Sequence, residues 1–306
     1  GIAAAKAFSM QGILKYHGMT DWDWRIAYMP SLSVNNDAAY CVALVEFDPD
    51  LHADIATIGG KPAYGRPLER IVRSLSVLRD IAGINSHARV ISKNVVRSNK
   101  TGKGLGTSAA ASAAIAAAAT SAVFGQKTAE NSRFVSCLSR LLAGSGCRSA
   151  VGGVALWLSH PGISHEDSFA IRLDNNNELK HLRLITIPLP SRADIMTESA
   201  HYDAPNSILY KSWMHSRCDD VLECIAAVQE GNWRTLAQMA ELDSMRLHGI
   251  TMSGNRENKT FAWEPENMAL FRLCNDLRSS GIPVYSSTDT GPTTVFMTHK
   301  DNEKDV

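Results

Sequence analysis

The chain has 306 residues, of which 44% are hydrophobic and 20% charged, with 31 Lys and Arg against 31 Asp and Glu. Such a composition can bury a large core, in two domains at this length, and the zero balance removes any global field that would gather nucleic acid or an anionic membrane surface, so an anion site has to be built locally. No uninterrupted apolar run reaches the ~18 residues of a membrane span, the alanine-rich stretch after residue 107 reading as too weakly hydrophobic. Gly1 to Phe8 carries Lys6 and no leader-type apolar core with a cleavage pattern. The cysteines (Cys41, Cys137, Cys147, Cys218, Cys224 and Cys274) show no C-x-x-C pair. Reduced thiols, no metal site and a cytoplasmic location are therefore the expectations.

In chain order, residues 2–8 and 39–47 read as strands flanking a polar segment from Tyr16 to Asn36. Pro67 to Ala82 carries Leu68, Ile71, Leu75 and Leu78 at helical spacing, with Glu69, Arg70, Arg73 and Arg79 elsewhere, and so reads as a surface helix. Ala88 to Val96 reads as a strand feeding a glycine loop, followed by helices from about Thr107 to Val123 and Ala129 to Ala143. Gly152 to Leu158 and residues 182–187 read as further strands, and Pro188 and Pro190 place a domain boundary after 187. Helices around Ser207 to Glu230, Trp233 to Leu247 and Glu264 to Ser280, then strands near Val284 to Ser287 and Thr294 to Met297, complete the chain. The expected class is α+β, with domains 1–187 and 188–306.

The run Gly102-Lys103-Gly104-Leu105-Gly106-Thr107-Ser108, followed by alanines, describes a flexible loop opening a helix. A helix N-terminus presents unpaired N–H groups and a partial positive charge, so phosphate oxygens are stabilised there. A buried alanine helix with a glycine turn explains the run about as well, and neither a Walker loop nor a dinucleotide fingerprint fits it. Lys15 sits between Gly12 and Gly18, which let backbone approach a ligand closely, although taken alone a solvated lysine is the stronger reading. Arg148, within Gly144-Ser145-Gly146-Cys147-Arg148-Ser149, has the surroundings of a guanidinium offered to a carboxylate or phosphate, or of an arginine bracing a turn. Asp289 lies in Ser287-Thr288-Asp289-Thr290-Gly291-Pro292, a good turn sequence in any protein. Ser244 and His248 share a helix face with Asp243 beside them.

Taken in order, Lys15-Tyr16-x-Gly18, Ser31-Leu32-Ser33-Val34, Gly104-Leu105-Gly106-Thr107-Ser108, Gly144-Ser145-Gly146-Cys147-Arg148-Ser149, Asp243-Ser244 with His248, and Asp289-Thr290-Gly291-Pro292 resemble the mevalonate diphosphate decarboxylase branch of the GHMP kinase superfamily. The resemblance spans nearly the whole chain. It implies a two-domain GHMP-kinase-like fold, with a ribosomal protein S5-like N-terminal domain, a ferredoxin-like C-terminal domain and an active site between them. It further implies that Asp289, Lys15 and Arg148 form the catalytic trio. Tyr16, His17, Lys103, Gly104, Gly106, Thr107, Ser108, Ser145 and Ser191 would contact the substrate or its phosphates. The implied partner is a small phosphorylated mevalonate, and a homodimer is the implied assembly.

Met19 and Thr20 stand where diphosphate-specific members carry a Lys-Arg pair, so fewer phosphates at carbon 5 are expected. A nearer likeness, through Gln11-Gly12 and His17-Gly18-Met19, is to archaeal enzymes acting on 5-monophosphorylated mevalonates, whose product is isopentenyl phosphate. Lys100 and Lys103 crowd the approach to the glycine loop, which favours a substrate already phosphorylated at oxygen 3. The resulting expectation is conversion of mevalonate 3,5-bisphosphate to isopentenyl phosphate, CO2 and phosphate, with no cofactor. The alternatives are an ATP- and Mg2+-dependent decarboxylase of 5-phosphomevalonate or, less favoured, of its 5-diphosphate, then a metabolite kinase, and last a non-catalytic phosphate-binding protein. Lys6, Lys93, Arg73, Arg192 and Lys211 are the basic residues open to the 5-phosphate.

Overall fold

A computed structural model describes residues 1–97, 105–192 and 197–306. Lys100, Lys103 and Gly104 lie outside the described residues. The first half contains strands Ile2–Leu14 (β1), Met19–Asp21 (β2), Ile26–Ala27 (β3), Ser31–Asp48 (β4), Ile55–Ile58 (β5) and Lys61–Pro62 (β6), helix Arg66–Ala82 (α1) and strand His87–Val96 (β7). Helices Thr107–Phe124 (α2), Gln126–Ala129 (α3), Ser132–Leu142 (α4) and Gly146–Val151 (α5) and strands Val154–Trp157 (β8) and Ala170–Arg172 (β9) follow. The second half holds strand Leu182–Ile187 (β10), helices Thr197–Asp203 (α6), Tyr210–Gln229 (α7), Trp233–Met252 (α8) and Pro265–Ser279 (α9), and strands Val284–Thr288 (β11) and Thr294–His299 (β12).

The long strand β4 organises the first sheet. β1 runs along one of its edges, while β8 and then β7 pair with the other, and the path continues to β9 at one end and to β5 and β6 at the other. Alternation sorts its side chains: Cys41, Ala43, Val45 and Phe47 face a core covered by α1, α2 and α4. α1 starts with Pro67 in its first turn and ends at Gly83 in the left-handed region, a favourable pair of signals for a helix start and stop. The alanines of α2 let it lie close against β1 and β4. By length and a mean hydropathy of 1.4, α2 does meet the dimensions of a membrane span, contrary to the expectation above. Its Ala110, Ala114, Ile115 and Ala118 are buried in the core of the first half.

Strands β1 and β4 are longer than the sequence predicts, because the polar positions Ser31 and Ser33 are buried on the pairing of β4 with β1 and β8. The read helix from Ala129 to Ala143 divides at Asn131, whose side chain caps α4 by accepting from the Phe134 amide.

β10, β12 and β11 form a three-stranded antiparallel sheet. Leu184, Tyr285, Val295 and Met297 face α7 and α8, whereas Ile185, Ile187, Val284 and Phe296 face α9. β10, which precedes the expected division after residue 187, pairs over its whole length with β12 and so belongs to the second sheet, with the prolines following it. The first face of that sheet also packs on Ile13, Leu14, Leu32, Val154 and Leu156, so the two halves share one apolar cluster. The end of β1 is thus clamped between both sheets, and Lys15 emerges directly from that clamp.

Candidate active site

A cavity of about 610 Å³ opens beside this clamp, lined by both halves. Lys15 and Asp289, 274 residues apart, meet there: the Lys15 Nζ donates to Asp289 Oδ1 at 2.7 Å, to Ser287 Oγ at 2.8 Å and to the Gly12 carbonyl at 2.6 Å. Gln11 Nε2 donates to the same carboxylate oxygen at 3.2 Å. Gly12 is required by this arrangement, because a Cβ there would stand 2.9 Å from Asp289 Oδ1 and 3.1 Å from the Lys15 side chain. Burial pulls the Lys15 ammonium below its ordinary range and Asp289 opposes that pull, so the ion pair keeps a cation in a dry place.

Helix α8 holds both partners from behind. Asp243, fully buried, accepts from the Lys15 backbone amide at 2.6 Å, from Trp213 Nε1 at 2.7 Å and from Arg217 at 3.0 Å. The next residue, Ser244, donates its Oγ to the Thr288 carbonyl at 3.1 Å and accepts from the Thr288 amide at 3.0 Å. Burial lowers the His248 ring to about 3, so the ring is neutral. Its Nε2 lies 2.9 Å from the Asp289 carbonyl, which only accepts, and therefore carries the hydrogen. The motif of Asp243, Ser244 and His248 is thus a bracket that fixes Lys15 and Asp289 relative to each other.

Arg148 lines the cavity from α5 and is only 3% exposed. Its contacts are the Leu14 carbonyl at 3.5 Å, the Met10 sulfur at 3.6 Å and the Tyr16 ring at 5.6 Å. Its Nε has no hydrogen-bond partner, and no carboxylate pairs with it among the described residues. Burial works against its charge. A planar cation left in this condition is compensated by a bound carboxylate or phosphate.

Gly106, Thr107 and Ser108 at the start of α2 line the same cavity, as do Tyr16 and Ser145. Gly106 caps α2 with φ 70° and its Cβ would collide with the Met10 carbonyl at 2.5 Å, so only glycine brings the helix start this close. No side chain caps α2, which leaves its first amides directed at the cavity. Two expected contacts do not line it. His17 is buried behind the wall, its Nε2 3.3 Å from Thr251 Oγ1 and its ring 4.7 Å from that of His201. Ser191 follows the lining residue Pro190 without lining the cavity itself.

Of the basic residues open to a second phosphate, Lys6 lies over the Phe8 and Tyr40 rings, Arg73 over Trp24, and Arg192 pairs with Glu264 and Glu266. Among the described residues, the arginines that line the cavity besides Arg148 are Arg25 and Arg70. Sequence reading missed both. One signal was available: Arg66 and Arg70 repeat a positive charge at i, i+4 on α1, which weakens a helix unless an acid answers it.

A family model described as a diphosphomevalonate decarboxylase-like N-terminal domain matches residues 7–170. The phosphomevalonate decarboxylase of Haloferax volcanii is 32% identical, covering 98% of this chain and 89% of that one. The mevalonate 3,5-bisphosphate decarboxylase of Thermoplasma acidophilum is 30% identical over 95% of this chain and 69% of its own. Among solved structures, the mevalonate diphosphate decarboxylase of Staphylococcus aureus superposes with a TM-score of 0.89 at 27% identity, covering 99% of this chain and 89% of the other.

Proposed function

The chain belongs to the diphosphomevalonate decarboxylase-like family, and from that premise we propose that it is a carboxy-lyase of the mevalonate pathway that converts mevalonate 3,5-bisphosphate to isopentenyl phosphate, CO2 and inorganic phosphate without a nucleotide. The observation that carries the reading is the meeting of the Lys15–Asp289 ion pair with an uncompensated Arg148 in one cavity that also receives the start of α2.

The chemistry assigns a task to each group. The C3–O bond breaks with its electron pair leaving on the phosphate, and the C1–C2 bond releases CO2 while its electrons form the C2=C3 alkene. No proton need move in these two cleavages. The α2 amides with Thr107 and Ser108 would receive the departing phosphate. Arg148 would hold the carboxylate bidentately, aligning the C1–C2 bond with the C3–O bond. Asp289, fixed by Lys15, would face carbon 3, where positive charge grows as phosphate departs.

Incubation of purified protein with mevalonate 3,5-bisphosphate tests this, with CO2 and phosphate measured in the presence and absence of ATP and Mg2+. Equal release in both arms is expected; release only with nucleotide overturns the nucleotide-independent step. A second reading, ATP-dependent decarboxylation of 5-phosphomevalonate, is favoured by the 32% identity to the Haloferax protein. ADP formation that depends on 5-phosphomevalonate would establish it, with Asp289 then receiving the proton of the 3-hydroxyl as it is phosphorylated.

A further inference from the structure

One cluster on the cavity wall has no part in the two bond cleavages. Arg25, in the turn between β2 and β3, and Arg66 and Arg70, in the first turns of α1, converge on Glu198 of α6. Arg66 grips it at 2.6 and 3.2 Å, Arg70 stands at 3.4 Å and Arg25 at 3.7 Å. Three guanidiniums face Glu198, and Glu69 stands 3.5 Å from Arg66, so the cluster keeps an excess of positive charge. The Nε atoms of Arg25 and Arg70 have no hydrogen-bond partner, although Arg25 is only 6% exposed. Arg25 also holds φ 54°, a left-handed backbone that a residue with a side chain adopts at a cost and that clusters where ligands are clamped. Between this cluster and the trio stands Tyr16: the Arg148 guanidinium lies 5.6 Å from its ring, Trp157 meets it edge-on at 4.8 Å, and the ring of His201, three residues beyond Glu198 on α6, stacks on it at 5.2 Å.

We propose that Arg25 and Arg70 seat the phosphate at carbon 5 of the substrate, and that Glu198, held from outside the cavity by Arg66, is the specificity-determining residue that limits this seat to a monophosphate. The inference rests on the proposed function for its substrate class. Its physical basis is charge: a phosphate monoester carries about −1.5 to −2 at neutral pH, and the positive excess of the cluster, with the unpaired Nε donors of Arg25 and Arg70, faces it. A terminal diphosphate brings more charge and another phosphoryl group, and both meet the Glu198 carboxylate. Loss of that negative charge makes the seat more positive by one and removes the like-charge contact with a second phosphoryl group.

The test compares wild type with Glu198→Gln, using 5-phosphomevalonate and 5-diphosphomevalonate as competing ligands against mevalonate 3,5-bisphosphate, and inorganic phosphate and pyrophosphate in calorimetric titrations. Wild type is expected to bind the monophosphate member of each pair more tightly, and Glu198→Gln to shift the ratio toward the diphosphate by about tenfold, the scale of one like-charge contact in a desolvated site. A ratio unchanged within about twofold in a variant with wild-type thermal unfolding overturns the proposal. Arg70→Ala provides an independent arm: KM for the bisphosphate rises about tenfold with kcat largely kept, and an unchanged KM overturns the seat. Absence of CO2 from wild type with the expected anion selectivity intact would remove the function and leave the site; CO2 release with an unshifted ratio would remove the site and leave the function.

Discussion

The two walls of the cavity hold charge in contrasting ways. On the α8 side, Lys15, Asp243 and Asp289 are tied by direct bonds of 2.6 to 3.0 Å to backbone and side chains from both halves of the chain. On the α1 side, Arg25 and Arg70 reach their single carboxylate only at 3.7 and 3.4 Å and keep unpaired Nε atoms. The first wall spends its hydrogen bonds on fixing two reacting groups to within tenths of an ångström, as bond-breaking geometry demands. The second leaves donors over, as a wall that must receive an anion does. Arg148, buried on α5 between the two, belongs with the second kind, though its place in the reaction is with the first.

The largest expected effect probes the tied wall. Asp289→Asn keeps an oxygen that accepts from Lys15 but removes the negative charge facing carbon 3. CO2 release should fall about 10³-fold, the upper range for a lost electrostatic contact in a dry site, while circular dichroism and thermal unfolding stay close to wild type. Turnover near wild type would show that Asp289 only anchors Lys15.

Next is Asp243→Ala, which touches no substrate in this scheme. It strands Arg217, 1% exposed, and the Lys15 amide, so urea unfolding should show a loss of about 3–5 kcal/mol, as for a buried pair that loses one member. A loss below about 1 kcal/mol would mean that the bracket is not a mechanical element, and the contrast between the walls would fail. Arg148→Lys should lower kcat/KM about 10²-fold, because an ammonium cannot hold a carboxylate at two points. A change under about fivefold would place the substrate carboxylate elsewhere.

How far each wall was legible follows from how local its signals are. Arg148 and Asp289 each sit in a short run of glycine, serine or threonine and Lys15 lies between Gly12 and Gly18, signs that backbone or ligand comes near. Asp243, Ser244 and His248 were visible as a spaced set on one helix, but their targets, the Lys15 amide and residues 288–289, exist only once β1, α8 and β11 are packed together. The arginine wall gave less. Arg66 and Arg70 look like the solvated face of an amphipathic helix, Arg25 like the end of a polar turn, and the segment before Glu198 like an inter-domain connection. The sheet that β10 joins was hidden for the same reason: Pro188 and Pro190 are strong local punctuation, yet the partner of β10 begins more than a hundred residues later, at Thr294.

The smallest expected effect concerns the histidines, which stand on both walls and so report on each. His248 is lowered to about 3 and His17 to about 4, in each case chiefly by burial, and His201 lies well below its ordinary value for the same reason. All three are therefore neutral in the folded protein, whereas in the unfolded chain they take up protons near the ordinary value of 6.5. Below that pH the unfolded state binds more protons, so stability rises with pH there: it is fully present above about 6.5 and drains away as the pH falls toward the depressed values. Urea midpoints measured from pH 7 to pH 5 should decline steadily, and His248→Gln should flatten the decline by about one proton, or about 1.4 kcal/mol per pH unit once the unfolded histidine is charged. The remaining slope includes His17 and His201 behind the arginine wall together with His165, which burial and Arg140 also lower to about 4. A variant with the wild-type slope would mean that His248 already carries its proton when folded. The tied wall would then hold a second cation beside Lys15, and the Asp289 carbonyl would be gripped by charge rather than by a neutral ring.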